Sequence, residues 1–583
     1  MALIPAGVHA LRPSRFVMKK GLTCFMSKDR MILWPKNGPF SSPGALFIIR
    51  AGLLLLMLAG ATGLTSTAYA QAGAAPGAYH PAPSNTAVLT NKYDTYRTGE
   101  NLNETILTTG NVNVKQFGKK LSYPVDGQVY AQPLFVPNVN TGGSLHNMVI
   151  VATEHDSVYA FDADQNLLLW HASFINPPAI TPIPSSDTGC GDLTPEIGIT
   201  STPVIDANAN ILYAVAATKE HGQYFQRLHA IDITTGNEVK QPATIAAKVK
   251  GSGDGSINGH ITFNALREGQ RAGLLLLNGV VYIAWASHCD IGPYHGWVMG
   301  YNASTLKRVA VYNDSPNGSE AGIWQAGGGL AADSNGNIYF MSGNGTFDLK
   351  GGGKDAGDSF VKLNSQNLSV VSYFTPFNQL CLEQQDTDLG SGGPLLLPAE
   401  NEIISAGKEG RIYVVNSQSM GGYHSIQNPC SKQYRTNVDR IVQEFAPGTI
   451  GGLFSTPAYW NGSNGEYVYF GGNGDSVKAY QLSNGLLSKS PTSRTPESFG
   501  FTGGNTVISS NGATPGTGIL WTLDPNAILH AYDATNLGTE LYNTNQNPGR
   551  DGLPSYVKFS TPTVANGEVF VGTQGSLEIY GLL

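Results

Sequence analysis

The densest group of side chains that could do chemistry lies between residues 285 and 297, in the stretch WASHCDIGPYHGW. His288, Asp290 and His295 carry the imidazole and carboxylate groups that ligate metals or bind polar ligands, and Tyr294 adds a hydroxyl. The alternative is a long loop held by a disulfide, in which backbone groups satisfy both histidines. The residues alone leave both interpretations open, so these four side chains are candidates for ligand binding.

A second group of acidic side chains lies about 100 residues earlier. Asp187, Asp192 and Glu196 fall within one loop and would place three carboxylates near one another. A hard cation such as Ca²⁺ takes six to eight oxygen ligands, which carboxylates and loop carbonyls supply. The spacing therefore predicts a possible metal site, with Asp192 and Glu196 also as ligand-binding candidates. The alternative is a set of solvated charges at the rim of the fold.

A third candidate is the pair His155 and Asp156. Glu220 and His221 occupy the equivalent point of the next repeat described below. Such pairs either converge on a common site or cap the turns between strands. No combination of these residues forms a recognisable catalytic set, so the catalytic residues are unknown at this level.

The elements that must position these residues recur about once every 60 residues from position 127 to the end. Each copy has a short apolar stretch, a turn, a hydrophobic strand, a loop, and a strand that ends in an aromatic residue followed by Asp or Asn. Eight weak copies of an all-β unit too short to fold alone predict an eight-bladed β-propeller of four-stranded antiparallel blades. The opening stretches are QPLFV (132–136), STPVID (201–206), GLLLL (273–277), GGLAAD (328–333), GGPLLL (392–397), STPAYW (455–460), GNTVIS (504–509) and STPTVA (560–565).

The loops sort onto two unlike faces if the strands of each blade are labelled A to D outward from the axis. The A–B loops carry tight-turn pairs such as Asn278-Gly279, and the C–D loops carry an Asp or Asn that caps its own turn, so this face is predicted to be structural. The B–C and D–A loops are longer and hold all the candidate residues above. Function is expected on that loop-rich face.

The ends of the chain predict how the ring closes. The last repeat supplies strands A, B and C and then stops, while the stretch 117–125 precedes the first A strand without a blade of its own. We expect it to form the outer strand of the last blade, which would remove an exposed sheet edge.

The beginning of the chain indicates export. An apolar run at 51–64 follows Arg50 and is followed by Ala68-Tyr69-Ala70, which is typical of a signal peptide cleaved after residue 70. Fourteen residues are too few to span a bilayer, so no transmembrane anchor is expected after cleavage. The predicted organisation is an N-terminal extension and signal peptide over 1–70, a flexible lead-in over 71–92 and one propeller domain over 93–583. The expected location is periplasmic or extracellular.

Charge and cysteine usage fit this assignment. The net charge is −7 and only 13% of residues are charged, without a basic cluster in the mature chain, which disfavours a nucleic-acid partner. Cleavage would leave four of the five cysteines. Blade register favours the pairs Cys190–Cys289 and Cys381–Cys430 over the other connectivities or free thiols.

The repeat units, with LHAIDITTG (228–236) as one example, resemble those of the quinoprotein (pyrroloquinoline-quinone-like, PQQ-like) propellers. The stretches YDTYRTGENLNETIL (93–107) and CGDLTPEIGITSTPVID (190–206) are similar to secreted bacterial members of mostly unknown function. The resemblance implies the fold, and PQQ and calcium as possible cofactors. It does not extend to the site of the quinoprotein dehydrogenases, which have a disulfide between neighbouring cysteines and a calcium held by Glu, Asn and Asp. Of their outer-strand tryptophans only Trp170 is represented.

The functional prediction is an exported propeller whose loop-rich face binds a small-molecule ligand or a protein partner. The alternative is a PQQ- and calcium-dependent alcohol or sugar dehydrogenase.

Overall fold

Eight antiparallel β-sheets surround a central axis in the computed structural model, which describes residues 86–397, 399–433 and 435–583. Alternating apolar residues bury both faces of each sheet against its neighbours, since Ala160, Val215 and Val414, for example, are almost inaccessible to solvent. The predicted eight-bladed propeller is therefore confirmed. The predicted extension and signal peptide (1–70) and residues 71–85 of the predicted lead-in lie outside the described residues.

Each blade has the predicted A-to-D order. Blade 1 has strands Leu134–Thr141, Ser144–Ala152, Ser157–Asp162 and Leu168–Ser173, and blade 2 has Val204–Asp206, Ile211–Glu220, Gln223–Asp232 and Ala243–Thr244. Blade 3 has Leu275–Leu277, Val280–Ser287, Trp297–Asn302 and Arg308–Asn313, and blade 4 has Ala331–Ala332, Asn337–Met341, Phe360–Asn364 and Val370–Thr375. Blade 5 has Leu395–Leu397, Glu402–Ala406, Ile412–Asn416 and Gln443–Glu444, and blade 6 has Ala458–Gly462, Gly465–Gly471, Val477–Ser483 and Leu486–Leu487 with Ser493–Arg494. Blade 7 has Val507–Ser509, Ile519–Asp524, Ile528–Asp533 and Glu540–Asn543, and blade 8 has Thr563–Ala565, Glu568–Gly572, Ser576–Leu582 and Phe117–Pro124.

The remaining elements are short. Additional strands are Glu100–Asn101, Ile180–Pro184, Glu196–Ile197, Lys248–Lys250, His260–Thr262, Glu268–Gly269 and Gly422–Tyr423. The α-helices are Ser185–Thr188, Gln379–Gln384 and Pro548–Asp551, and the 3₁₀ helices are Leu349–Gly351, Leu389–Ser391 and Thr544–Gln546. No helix within the described residues has the length and apolar character needed to cross a membrane.

The ring closes as predicted. Phe117–Pro124 pairs antiparallel with Ser576–Leu582 and forms the outer strand of blade 8. Phe117 is buried and its ring lies 5.4 Å from that of Trp521 in blade 7, so the N-terminal strand also joins two blades. One blade built from both ends of the chain leaves no free edge at the junction.

The face with the A–B and C–D loops consists of tight turns. Asn278 and Gly279 both have positive φ, at 51° and 73°, as the Asn-Gly pair predicts for a two-residue hairpin. In the C–D loops the side-chain oxygen of the Asp or Asn accepts backbone N–H groups two or three residues later, as Asp162 does from Asp164 at 2.9 Å and Asn416 from Gln418 at 2.9 Å. These side chains therefore cap their own turns.

A segment that the repeats do not include closes the channel at this face. Residues 88–101, here called the plug, make hydrogen bonds to all eight blades. Their partners, from blade 1 to blade 8, are Phe135, Ile205, Leu274, Ala332, Leu396, Tyr459, Ile508 and Val564. Residues 88–92 belong to the predicted lead-in, and the structure packs them against the inner strands.

The plug contains two fully buried basic side chains, Arg97 and Lys92, and burial lowers the pKa of Lys92 to about 7. Arg97 donates to the Leu330 carbonyl at 2.9 Å and the Leu274 carbonyl at 3.2 Å, and Lys92 donates to the Thr456 and Thr506 carbonyls at 3.0 and 2.5 Å. These carbonyls face the axis just before or within the inner strands. The two side chains therefore satisfy backbone acceptors that have no strand neighbour there.

Candidate functional site: the axial pocket

The opposite end of the channel is open and forms a pocket of about 160 Å³, here called the axial pocket. Its walls come mainly from the D–A loops that enter blades 2 to 8, with further residues from the B–C loops of blades 3 and 5. The main lining residues are Asp192, Arg271, Cys289, Asp290, Trp324, Asp388, Lys408, Phe454, Phe501 and Phe559. The pocket thus lies on the loop-rich face.

Aromatic rings form the apolar part of the wall. The Phe454 ring lies 5.3 Å from Phe501 and 6.4 Å from Phe559, and Phe501 remains 58% exposed. Trp324 is buried on one side and meets the Tyr294 ring edge-on at 6.3 Å. Phe559 is only 6% exposed, so Phe501 offers most of the accessible aromatic surface. Aromatic rings that line a concave site are typical of pockets that bind flat apolar molecules.

Arg271 lies between two of these rings. Its guanidinium carbon is 5.6 Å from the Trp324 ring centre and 4.8 Å from that of Phe559. The guanidinium also pairs with Asp192, whose other oxygen pairs with Lys558. Burial alone would raise the pKa of Asp192, but the charges of Arg271 and Lys558 outweigh it and hold that pKa at about 2. This side of the pocket has one net positive charge.

The blade 5 side of the pocket is acidic. Lys408 pairs with Asp388 at 2.6 Å and with Asp386 at 2.8 Å, so two carboxylates share one ammonium group. Burial would lower the pKa of Lys408, but the two carboxylates outweigh it and raise that pKa. Asp388 also accepts the Asn344 amide at 2.8 Å, which fixes its orientation. The pocket is therefore bipolar, positive toward Arg271 and negative toward Asp388.

The 285–297 stretch contributes only in part. Asp290 lines the pocket and accepts a 2.7 Å hydrogen bond from the Tyr294 hydroxyl, and burial raises the pKa of both groups. His295 is turned away: Nε2 donates to the Asp254 carbonyl at 2.9 Å and Nδ1 contacts the Ser315 hydroxyl at 2.8 Å. Its two nitrogens are satisfied within the protein, as in the alternative interpretation of the sequence.

His288 lies behind the wall rather than in it. Its side chain is 6% exposed, and burial followed by the nearby Arg271 charge lowers its pKa to about 4, so the ring is neutral at pH 7. The adjacent Cys289 forms the predicted disulfide with Cys190, and this bond borders the pocket. The second predicted pair, Cys381–Cys430, is also present. Both disulfide predictions are confirmed.

The three carboxylates predicted as a metal site do not converge. Asp187 pairs with Lys219 at 2.6 Å, Asp192 pairs with Arg271 and Lys558, and Glu196 contacts His155 Nδ1 at 2.8 Å. Each carboxylate has its own partner because the loop spreads across blades 1 to 3. Among residues 86–397, 399–433 and 435–583, no group of three His, Cys, Asp or Glu side chains could hold a metal ion.

His155 and Asp156 also lie outside the pocket. Asp156 is inaccessible to solvent, and its carboxylate accepts the Ala217 amide at 3.1 Å, which joins blade 1 to blade 2. His155 meets Glu196 at the rim of the same two blades. The side chains of the pair therefore contribute to the contact between blades 1 and 2.

The sequence analysis missed the aromatic residues and the cations of the pocket. Phe454 and Phe559 each stand immediately before a Ser-Thr-Pro triplet that opens a blade, and Trp324 precedes the Gly-rich opening of blade 4. Alignment of the repeats on their opening stretches would have placed these residues at one level of the channel. Arg271 and Lys558 have no such shared position in the sequence.

Three comparisons place the fold among known proteins. The quinohemoprotein alcohol dehydrogenase ADHIIG of Pseudomonas putida HK5 has a TM-score of 0.55 and 14% identity, with 86% of this chain and 80% of that chain covered. The Comamonas testosteroni quinohemoprotein alcohol dehydrogenase has a TM-score of 0.56 and 13% identity, covering 85% and 81%. A europium-containing methanol dehydrogenase has a TM-score of 0.56 and 11% identity, covering 85% and 98%. The chain has the quinoprotein propeller fold.

No protein-family model matches the sequence, and no curated protein matches it significantly. At 11 to 14% identity, the structural likeness establishes the fold and leaves the activity to be argued from the site.

Proposed function

We propose that this protein is an exported propeller that binds a small, flat ligand in the axial pocket. The observation that carries the proposal is that the Arg271 guanidinium carbon lies 5.6 Å from the Trp324 ring centre and 4.8 Å from that of Phe559, at the open end of the channel. A planar ligand would gain apolar contact with the rings while its anionic edge approached Arg271 and Lys558.

The charge distribution orients such a ligand. An anionic group is favoured near the Arg271 side, which carries one net positive charge, and is disfavoured near Asp386 and Asp388. The opposite edge of the ligand would meet Asp290 and Asp388, which accept hydrogen bonds. The preferred class is therefore an aromatic carboxylate with a donor group at its far edge.

PQQ is a natural probe for this site, because it is flat and carries carboxylates and because the fold is shared with quinoproteins. The rings of Trp324 and Phe559 and the Arg271–Lys558 cations suit its shape and charge. The carboxylates of the pocket do not suit the calcium that a dehydrogenase of this class requires, since Asp192 and Asp388 are each engaged by cationic side chains. We therefore rank ligand binding above the dehydrogenase alternative and derive no catalytic step.

Export to an oxidising compartment is part of the proposal. Two disulfides support it, because such bonds persist mainly outside the cytoplasm. The signal-like start of the sequence points the same way.

The test is a calorimetric and absorbance titration of the mature chain (71–583) with PQQ, with and without Ca²⁺. We expect saturable binding at one site that does not require Ca²⁺. Arg271→Gln should weaken it about ten-fold, which corresponds to the loss of one charge-assisted contact. The exposed Arg494, in the outer part of blade 6, provides the matched control Arg494→Gln, which should bind as the parent does.

Two results would overturn parts of this proposal. Strictly calcium-dependent binding, followed by oxidation of an alcohol or sugar with an artificial electron acceptor, would favour the dehydrogenase. Equal affinity in the parent and Arg271→Gln proteins would place the ligand elsewhere.

A further inference from the structure

A second and larger cavity lies away from the axis, on the flank of blades 2 and 3. It has a volume of about 540 Å³ and is bounded by three parts of the chain. The outer strands of blade 2 form one wall, an inserted hairpin with strands Lys248–Lys250 and His260–Thr262 forms the second, and the B–C loop of blade 3 forms the third. We call it the flank cavity.

The inserted hairpin is fixed to the ring, so the cavity is a built feature of the fold. The Gly253 amide donates to the Pro316 carbonyl at 3.0 Å, and the Asp254 amide donates to the Gly318 carbonyl at 2.8 Å. The His295 ring also reaches back to the Asp254 carbonyl. The histidine that the sequence analysis assigned to ligand binding thus anchors one wall of the flank cavity.

The lining combines apolar surface with acidic groups. Tyr224, Phe225 and Phe263 provide aromatic rings, and the side chains of Glu268 and Asp254 are the two carboxylates. Among the described residues no lysine or arginine lines the cavity, but Lys219 Nζ lies 5.7 Å from the Tyr224 ring centre and the Arg227 guanidinium carbon lies 4.7 Å from that of Phe225. Phe263 is held edge-on against Trp285 at 5.1 Å, so its ring is fixed in place.

Glu268 is the buried acidic residue of this lining. It is only 1% exposed, and its carboxylate makes no ion pair with any described residue. The hydrogen bond it accepts from the His295 amide is long, at 3.4 Å. A buried carboxylate without a counter-charge costs free energy, so burial raises the pKa of Glu268 well above its ordinary value. Hydrogen bonds from the Trp297 side chain and the His295 amide lower that pKa by a smaller amount.

From this combination we infer that the flank cavity binds an organic cation, an ammonium group on an apolar body. The ammonium would supply the counter-charge that Glu268 lacks, with Asp254 near the mouth. Aromatic rings attract cations through their negative faces, and Phe263 would contact the apolar part, since the Tyr224 ring already has the Lys219 ammonium beside it. The neutral His295 ring adds no repulsion, because burial lowers its pKa. This site is independent of the axial pocket and of its ligand.

The probe for the test is phenethylamine, which is protonated at pH 7, with phenethyl alcohol as its neutral counterpart. Binding to the mature chain is measured by equilibrium dialysis and by saturation-transfer NMR. We expect saturable binding of the amine and at least about ten-fold weaker binding of the alcohol. Equal binding of the two compounds, or no binding of the amine, would overturn the inference.

Variants locate the site. Glu268→Gln keeps the shape of the side chain and should weaken amine binding about ten-fold. If that variant fails to fold, Thr244→Lys also tests whether the amine binds in this cavity, because Thr244 is an exposed residue of its wall. The lysine ammonium would compete with the amine and weaken its binding. Glu400→Gln, in blade 5, is the matched control and should bind as the parent does. Arg271→Gln should also leave amine binding unchanged, which separates this inference from the proposal for the axial pocket.

Discussion

The two ends of the axial channel differ in construction and in chemistry: the plug fills one end, and the D–A loops of the blades surround the other. At the closed end, polar groups of the plug form hydrogen bonds with the backbone of every blade, and Arg97 and Lys92 are inaccessible to solvent. At the open end, Arg271 and Lys408 meet carboxylates, and aromatic side chains remain partly exposed. Basic side chains at the closed end stabilise the fold, and those at the open end remain accessible to a ligand.

The comparison teaches that a cation near the axis is not in itself a sign of function. Arg97 and Arg271 have the same chemistry, but Arg97 donates to two carbonyls beside the inner strands and to acceptors within the plug itself, all of them neutral. Arg271 has one carboxylate partner and two ring faces at the surface of a pocket. The partner set, rather than the residue type, separates the two roles.

The largest expected loss of folding stability follows removal of the disulfide that borders the open end. Cys190→Ser with Cys289→Ser opens a loop with a sequence separation of 99 residues, and the chain-entropy estimate for its loss is about 4.7 kcal/mol. Denaturant unfolding should show this loss, and PQQ affinity should fall because the pocket rim loosens.

The matched control is Cys381→Ser with Cys430→Ser, whose separation is 49 residues and whose estimated cost is about 4.1 kcal/mol. This variant should lose similar stability and keep its PQQ affinity. Equal loss of affinity in the two double variants would mean that the effect is global and not local to the rim.

The next effect is at the closed end. Arg97→Ala should reduce the free energy of unfolding by about 4 kcal/mol, because it leaves a cavity and several buried carbonyls without donors. Thermal and denaturant unfolding measure the loss. Arg494→Ala, at an exposed position, should change stability by less than about 0.5 kcal/mol. An unchanged unfolding curve for Arg97→Ala would contradict the role of the plug.

A smaller loss of folding stability is expected from protonation of Asp192 as the pH falls. Its pKa is about 2 in the folded protein against an ordinary value of 3.8, so the unfolded chain takes up the proton at higher pH. Asp192 therefore contributes about 2 kcal/mol of stability above pH 4, and this is lost as the pH falls from about 4 to about 2. Asp192→Asn should be less stable at pH 7 and lack this part of the acid dependence. Parallel acid profiles for the two proteins would contradict the ion-pair assignment.

The smallest effect is expected on the turn-rich face. Asp533 accepts the Thr535 amide at 2.8 Å in a C–D turn, so Asp533→Ala should cost about 1 kcal/mol. Asp533→Asn keeps an acceptor and should cost less. Both variants should bind PQQ as the parent does, measured by calorimetry. A change in affinity would mean that the two faces are coupled.

The fold could be predicted because its signals are local or repeated. Asn278-Gly279 specifies a hairpin by itself, and the missing fourth strand of the last repeat requires a partner such as Phe117–Pro124. The two disulfides followed from blade register once the repeats had been aligned.

The site could be predicted only in part, because its residues meet across long sequence separations. Of the predicted ligand-binding residues, Asp192 and Asp290 line the axial pocket. His295 faces the inserted hairpin, whose position no repeat signal specifies. Lys558 is 366 residues from its partner Asp192, and nothing in the local sequence of either residue indicates the contact. All but one of the acceptors of Arg97 are backbone carbonyls, which have no sequence signature.

The most direct test of the account is a crystal structure of the mature chain (71–583) grown with PQQ. The account predicts electron density for the ligand in the axial pocket, with its ring plane against Trp324 or Phe559 and a carboxylate within hydrogen-bonding distance of Arg271 or Lys558. Density at another site, or an axial pocket that holds only water at a saturating PQQ concentration, would contradict the assignment of the open end as the ligand site.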